Sequence, residues 1–411
     1  MKAMSRPVYL AAGAYTVSLG PGRREFRPEG ERPGLEETIQ EAGRASLAQI
    51  VDPDLIDEGV IGNFMAARFN RQGHLGSLMT IVHPSLEYKP ALRVEGACAS
   101  GGLALATGLK SVLSGLADVV LVMGVEVQNT VKSLYCADYL AGAGHYRGER
   151  KDGPAFFFPG RFSERAGAYA DKVGPALARN AMAHWYRNAV ENARLNPDAQ
   201  EFHNVALDLL AQGLTPPNPR GFVEHLNLFD CSKVSDGAAA ILVASEVGWQ
   251  RLGLTRSDVV EVAGFAQVSG NLTTPPPDLT EMTTCLLAAN RALAMAGISG
   301  PDAGLFEVHD CFSISGLLCV EALGLAPAGG GAELVLGGAT RRDGRFPVNT
   351  GGGLVGYGHP TGATGVRMAV DLWRQFTGRA GTYQVAPARE HGIMLSMGGN
   401  DKTAVALVVR R

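Results

Sequence analysis

Four segments of this chain carry residue types suited to nucleophilic and acid/base chemistry. The first is Val94-Glu95-Gly96-Ala97-Cys98-Ala99-Ser100-Gly101-Gly102. It runs from the strand-like Arg93–Gly96 into a small-residue helix predicted over Ala99–Leu113, which puts Cys98 at a helix N-terminus. There the positive end of the dipole and the free N–H groups lower a thiol pKa and favour the thiolate. On position alone, an inert buried cysteine in a tight turn fits equally well. The second segment, Glu307-Val308-His309-Asp310-Cys311-Phe312, lies between a strand predicted over Gly304–Val308 and a helix over Ser313–Leu323. A histidine and a thiol two residues apart beyond a buried strand suit proton transfer, or else serve as a core imidazole and a core thiol. No metal is expected, because His309 and Cys311 have no second spaced ligand pair nearby.

The third segment is Asn349-Thr350-Gly351-Gly352-Gly353-Leu354-Val355-Gly356-Tyr357-Gly358-His359-Pro360. Gly351, Gly353 and Gly356 satisfy the G-x-G-x-x-G dinucleotide pattern literally. Gly356 does not open a helix, however, and Asp371, at the nominal distance, falls inside one rather than at a strand end. The pattern is therefore read as a false match, and His359, held by a rigid turn just before a helix, is the residue of interest. The last segment is Leu395-Ser396-Met397-Gly398-Gly399-Asn400-Asp401. Its glycines could offer backbone N–H groups to an oxyanion, though a plain hairpin turn explains them as well.

The elements that must position these residues alternate short apolar strands with helices, the pattern of α/β layers. A helix is predicted over 35–50, short buried strands over Gly59–Gly62 and Asp118–Gly124, and a strand at Phe346–Asn349 followed by a helix over Thr361–Phe376. Ile393–Ser396 and Thr403–Val409 supply further strands. Each half thus contains a strand, a glycine-flanked turn with a reactive residue, a small-residue helix and another apolar strand, which predicts an internal duplication. The expected organisation is an N-terminal half over 1–127 and 221–250, an inserted loop or lid over 128–220, and a C-terminal half over 251–411. The insertion carries Phe156-Phe157-Phe158 and is expected to contact substrate; its charged turn Gly148–Gly153 reads as a solvated loop tip.

Composition narrows the class. Apolar residues make up 46% of the chain and charged residues 19%, so there is ample material for a core and little for disorder. Glycine, at 53 of 411 residues, points to tight turns and close backbone approaches. A formal net charge of −3 gives no basic footprint for nucleic acid. The six cysteines show no CxxC pair and read as reduced thiols. With no apolar run of membrane length and no recognisable signal peptide, a cytoplasmic protein is expected.

The segments VEGACASGG around Cys98, VSDGAAAILVAS at Val234–Ser245, EVHDCF at Glu307–Phe312, PVNTGGGLVGYGHPTGATG at Pro347–Gly365 and the terminal SMGGND occur in an order and over a span that resemble the thiolase family, in particular its sterol-carrier-protein type. The resemblance implies two similar α/β halves in a five-layered αβαβα arrangement, and acyl-CoA C-acyltransferase chemistry with coenzyme A as part of the substrate and no separate cofactor. Cys98 takes the nucleophile's position and His359 that of its base. Other thiolases carry a cysteine in a terminal Cys-x-Gly motif, where this chain has Ser396. The sterol-carrier pattern moves the acid/base cysteine to Cys311, so Ser396 is expected to be dispensable. His309 joins His359 in one oxyanion hole; the backbone N–H groups of Cys98 and Gly398 form the second. Ser232 matches a serine near the pantetheine arm. The resemblance also implies a homodimer or higher homo-oligomer. Alternatives are a thiolase-like subunit of a multiprotein acyltransferase or synthase, working with a small acyl-CoA-binding partner, and an aldolase acting on CoA esters. The aldolases of this fold lack the nucleophilic cysteine, which Cys98 argues against.

Overall fold

Apolar strands with every residue buried need cover on both faces, and the chain supplies it. The computed structural model describes residues 4–27, 29–150 and 153–411. Its strands are β1 (Val8–Tyr15), β2 (Glu58–Gly62), β3 (Ala91–Val94), β4 (Val119–Glu126), β5 (Gly237–Ser245), β6 (Val259–Ser269), β7 (Leu305–Val308), β8 (His391–Gly398) and β9 (Thr403–Arg410). They are joined in the order β3-β2-β4-β5-β1-β6-β9-β8-β7. In the first half β2 runs parallel to β3 and β4, β4 antiparallel to β5, and β5 antiparallel to β1. In the second half β7 runs parallel to β8, β8 antiparallel to β9, and β9 antiparallel to β6. Val348 makes a parallel bridge to Phe306, in the place β3 holds in the first half. The two halves therefore repeat one topology and meet where β1 pairs with β6 over Tyr9–Ala11. The predicted strand at Phe346–Asn349 is reduced to that single bridge, since Asn349 leaves the extended region at φ 51°.

Eight helices bear on the site: α1 (Leu35–Leu47), α2 (Ser100–Ser114), α3 (Ser133–Leu140), α4 (Phe157–Val173), α5 (Pro175–Ala193), α6 (Thr283–Ala296), α7 (Ser313–Ala322) and α8 (Thr364–Phe376). Three apolar clusters divide them into layers. The α1 residues Leu35, Ile39 and Ala42 pack on one face of the first half's strands, and α6 and α7 on the outer face of the second half's. Between the two halves Leu105, Leu109 and Val112 of α2 share a core with Val366, Val370 and Trp373 of α8. This gives the helix–sheet–helix–sheet–helix order. The shared layer is possible only because the helices cross at glycine. A Cβ on Gly365 would lie 2.2 Å from the Gly102 nitrogen, and one on Gly124 at the inner edge of β4 would lie 2.4 Å from the Gly362 carbonyl oxygen. The glycine excess thus brings the segments that carry Cys98 and His359 together.

Residues 128–220 form α3, α4, α5 and connecting turns. Phe162, Tyr169, Trp185 and Val190 from this stretch join the core built by α6, α7, β7 and β8, so it docks on the second half. Tyr146–Arg150 coil into a single helical turn, with Tyr146, Arg147 and Gly148 exposed and Glu149 and Arg150 partly so; residues 151 and 152 of the charged turn lie outside the described residues. No helix among the described residues is long and apolar enough to cross a membrane.

Candidate active site

Cys98 sits between β3 and α2, as its sequence context requires. The turn is strained: Ala97 has φ 55°, a left-handed conformation that costs a non-glycine residue about 1–2 kcal/mol. Local bonds hold it there. The Ser100 hydroxyl donates to Ala97 O at 2.6 Å and accepts from Gly96 N at 3.0 Å, while Ala97 N donates to Glu95 Oε1 at 2.5 Å. The sulfur lies beside the backbone N–H groups of Gly399 and of Cys98 itself.

His359 follows the glycine turn and is 7% exposed. Its Nδ1 is 2.7 Å from Thr364 Oγ1, and that hydroxyl donates to Pro360 O at 3.0 Å. With its one proton committed to Pro360, Thr364 can only accept from the ring. His359 is therefore protonated on Nδ1 and presents a lone pair on Nε2, which has no hydrogen-bond partner. His309, at the end of β7, meets the His359 ring edge-on, with centroids 5.1 Å apart. The ligand atoms of Cys98, His309 and His359 all lie within 4.8 Å of one another. Cys311 Sγ is 3.6 Å from Ser315 Oγ, which donates to Phe312 O at 2.6 Å and accepts from Phe312 N at 3.0 Å.

Burial decides the charge states. It pushes the Cys98 thiol up to about 12, reinforced by the Glu126 carboxylate, against the lowering effect of the Gly399 N–H. The helix N-terminus at Cys98 was expected to lower this pKa; desolvation of the thiolate outweighs it. Burial also drives His359 down to about 3 and His309 well below the usual imidazole range, with the buried Arg367 guanidinium adding to both shifts. Cys311 is raised well above the usual thiol value, first by burial and then by Cys98. At neutral pH the cluster is two thiols and two neutral imidazoles.

A cavity of about 220 Å³ opens onto this cluster and is lined by Cys98, Ser232, His309, Cys311, His359 and Gly399. Apart from Ser133 and Thr361 its remaining wall is apolar, with Leu140, Phe156, Phe158 and Phe162 contributed by the inserted region. Ser232 stands across from Cys311, to whose carbonyl its N–H donates at 2.9 Å. Gly398 ends β8 pressed against the first half: a Cβ there would lie 2.1 Å from the Gly96 carbonyl oxygen. The amide beside the Cys98 sulfur belongs to Gly399, which turns out of the strand at φ 67°. Ser396 is fully buried within β8, and its hydroxyl has no partner. Asp371, the dinucleotide false match, is buried on α8 with Tyr15, Tyr383 and Arg367.

Glu126, the last residue of β4, had not been singled out. Its buried carboxylate accepts from Asn63 Nδ2, Met65 N, Phe64 N, Thr361 Oγ1 and Gly362 N, at 2.9–3.1 Å. It thereby ties the loop after β2 to the loop after His359. The signal was present, as a carboxylate ending an otherwise wholly apolar strand. Asn349 was likewise overlooked as a support: its amide closes on the backbone of Val308, next to His309.

A Cys–His–His–Cys cluster in the seam of a duplicated five-layer fold defines the thiolase class. Residues 34–213 match the thiolase N-terminal domain and residues 266–411 the thiolase C-terminal domain-like family, and the chain belongs to the thiolase family. It is 36% identical over 381 residues to the acetyl-CoA acetyltransferase of Methanothermobacter thermautotrophicus, spanning 92% of this chain and 94% of that protein. Among solved structures it resembles the Ltp2-ChsH2(DUF35) aldolase, with a TM-score of 0.78 at 20% identity over 98% of both chains. Human mitochondrial 3-ketoacyl-CoA thiolase superposes with a TM-score of 0.73 at 18% identity over 99% of both chains. These two likenesses are of fold.

Proposed function

We propose that this protein is an acyl-CoA C-acyltransferase, a thiolase joining acyl-CoA and acetyl-CoA by Claisen condensation or cleaving a 3-oxoacyl-CoA with CoA in reverse. The observation that carries the reading is the neutral thiol–imidazole pair of Cys98 and His359, with the His359 tautomer fixed by Thr364. Neither partner is charged at rest, so proton transfer accompanies attack. His359 Nε2 takes the Cys98 proton as the sulfur adds to the thioester carbonyl, and collapse expels CoA as its thiol, leaving an S-acyl Cys98. Cys311 gives its proton to the departing CoA sulfur and is left as the thiolate that takes the α-proton of the second thioester, while the His359 imidazolium holds the Cys98 proton until that sulfur leaves. The resulting enolate attacks the acyl-enzyme, forming the carbon–carbon bond and returning Cys98 as a thiol. The N–H group of Cys98, together with that of Gly398 or of the adjoining Gly399, is suited to one oxyanion, and His309 with His359 to the other. No group beyond coenzyme A is required by this scheme.

The apolar, phenylalanine-rich wall favours a hydrocarbon acyl group, and Ser232 is placed to contact the pantetheine arm. The unpaired outer edge of β3, a few residues from Cys98, supports assembly as a homodimer. Reduced thiols at the reacting centre fit a cytoplasmic location. A partner that delivers acyl-CoA is a second arrangement, favoured by the fold shared with the Ltp2-ChsH2(DUF35) aldolase. Incubation with acetyl-CoA followed by peptide mass spectrometry tests the main reading. An acetyl group on the Cys98 peptide is expected; its absence with every thioester tried overturns the covalent mechanism.

A further inference from the structure

Three ring nitrogens in the site have nothing to bond. Both nitrogens of His309 and Nε2 of His359 lack partners, although the two residues are only 1% and 7% exposed. An unsatisfied buried polar atom costs about 1–3 kcal/mol, and here one ring nitrogen of each histidine lies within 4.8 Å of the Cys98 sulfur. We propose that Cys98, His309 and His359 form a binding site for a borderline-soft divalent cation of the Zn²⁺ class, occupied in competition with acyl-CoA.

The donor set suits such an ion: one thiolate and two imidazoles, with a fourth position open to the cavity. Zinc sits at about 2.3 Å from sulfur and about 2.0–2.1 Å from nitrogen, so neighbouring donors in a tetrahedron are roughly 3.4–3.6 Å apart. The three donors, already within 4.8 Å of one another, reach that spacing by drawing together by about 1 Å. The outer contacts are also those of a metal site. His359 donates its far N–H to Thr364, the usual way a ligating imidazole is oriented and its tautomer fixed. The Glu126 carboxylate beside Cys98 offsets the single positive charge left by a divalent ion on one thiolate. Binding forms one metal–sulfur and two metal–nitrogen bonds and breaks the Cys98 S–H bond; its proton goes to solvent and no oxidation state changes. A metal-bound sulfur cannot add to a thioester, so the ion and acyl-CoA exclude one another. Ligands drawn from positions 98, 309 and 359 form no spacing motif, which is why the sequence does not announce the site.

Binding depends on donor geometry and not on the reaction, so it is read with the metal alone. Titrating the full-length protein with Co²⁺ is expected to give a near-ultraviolet thiolate-to-metal band saturating at one equivalent, and Zn²⁺ should displace it. Zn²⁺ should also protect the Cys98 peptide from iodoacetamide, with EDTA restoring alkylation. Cys98→Ser should abolish the band, and His309→Asn should weaken binding at least about tenfold, each with wild-type circular dichroism. Cys311→Ala should keep the band, which separates this site from the other thiols lining the cavity. No band in the wild-type protein, or an equal band in Cys98→Ser, overturns the proposal. Acetylation of Cys98 without metal binding would leave the thiolase reading standing and remove this one.

Discussion

Replacing Glu126 by glutamine separates two jobs that one carboxylate performs. Oε2 accepts from Phe64 N, Thr361 Oγ1 and Gly362 N; Oε1 accepts from Met65 N and Asn63 Nδ2. A glutamine oxygen in the Oε2 place preserves the first three, but its NH₂ then confronts two donors. Asn63 cannot turn to help, because its amide nitrogen also serves Val125 O and its oxygen accepts from Ala66 N. One backbone N–H and one amide N–H lose their acceptor, at about 1–3 kcal/mol each. The three surviving bonds lose their charge assistance, and relief of the buried charge recovers part of the cost. A net loss of about 2–5 kcal/mol is expected in urea unfolding followed by tryptophan fluorescence. The second job is electrostatic. The carboxylate opposes a thiolate at Cys98, so folded Glu126→Gln should be alkylated there faster than wild type, even as turnover falls with the loosened His359 loop. Glu126→Asp, which keeps the charge on a shorter arm, should lose stability without that gain in alkylation. A stability change below about 1 kcal/mol would refute the five-bond account. Slower alkylation of the folded glutamine variant would refute the electrostatic one.

Four further outcomes follow from the site and the seam. Thr364→Val leaves the His359 Nδ1–H without an acceptor and frees the ring, so kcat/KM should drop about 10–100-fold while the fold persists, as steady-state assays and circular dichroism would show. Cys311→Ala should still acylate Cys98 from acetyl-CoA, more slowly for want of a proton donor to CoA, yet fail to condense, by mass spectrometry and product analysis; acylation at the wild-type rate would remove Cys311 from the first half-reaction. Ser396→Ala should turn over like wild type, since that hydroxyl is buried, unpaired and away from the cavity wall; a large loss would show that the acid/base role stayed in the terminal motif. Gly365→Ala would force a methyl group to 2.2 Å from Gly102 N, and should destabilise by about 3 kcal/mol or more in urea or prevent soluble expression.

What the sequence makes legible here is whatever short-range pattern controls. Cys98, His309 and His359 each sit where an apolar strand or rigid turn gives way to a helix, a transition visible within ten residues of chain. The glycine count foreshadowed a crossing of backbones, although only the structure pairs Gly102 with Gly365 and Gly124 with Gly362. The failures share one cause. The Cys98 pKa was inferred from its helix, but the deciding contribution is desolvation by residues remote in sequence, together with Glu126 28 positions away. Gly399, which nothing in the sequence separates from Gly398, turns its amide toward the sulfur only because β8 ends just before it, opposite Thr403 of β9. Glu126 escaped notice because its five donors come from two loops, one in each half. Such residues are found from sequence by asking of each carboxylate in an apolar strand what could neutralise or hydrogen-bond it. Burial without partners is costly enough that an answer must exist in the fold. For Glu126 the answer lies in the loops that bring the two reactive segments together, so the stability of the seam and the geometry of the reaction rest on the same carboxylate.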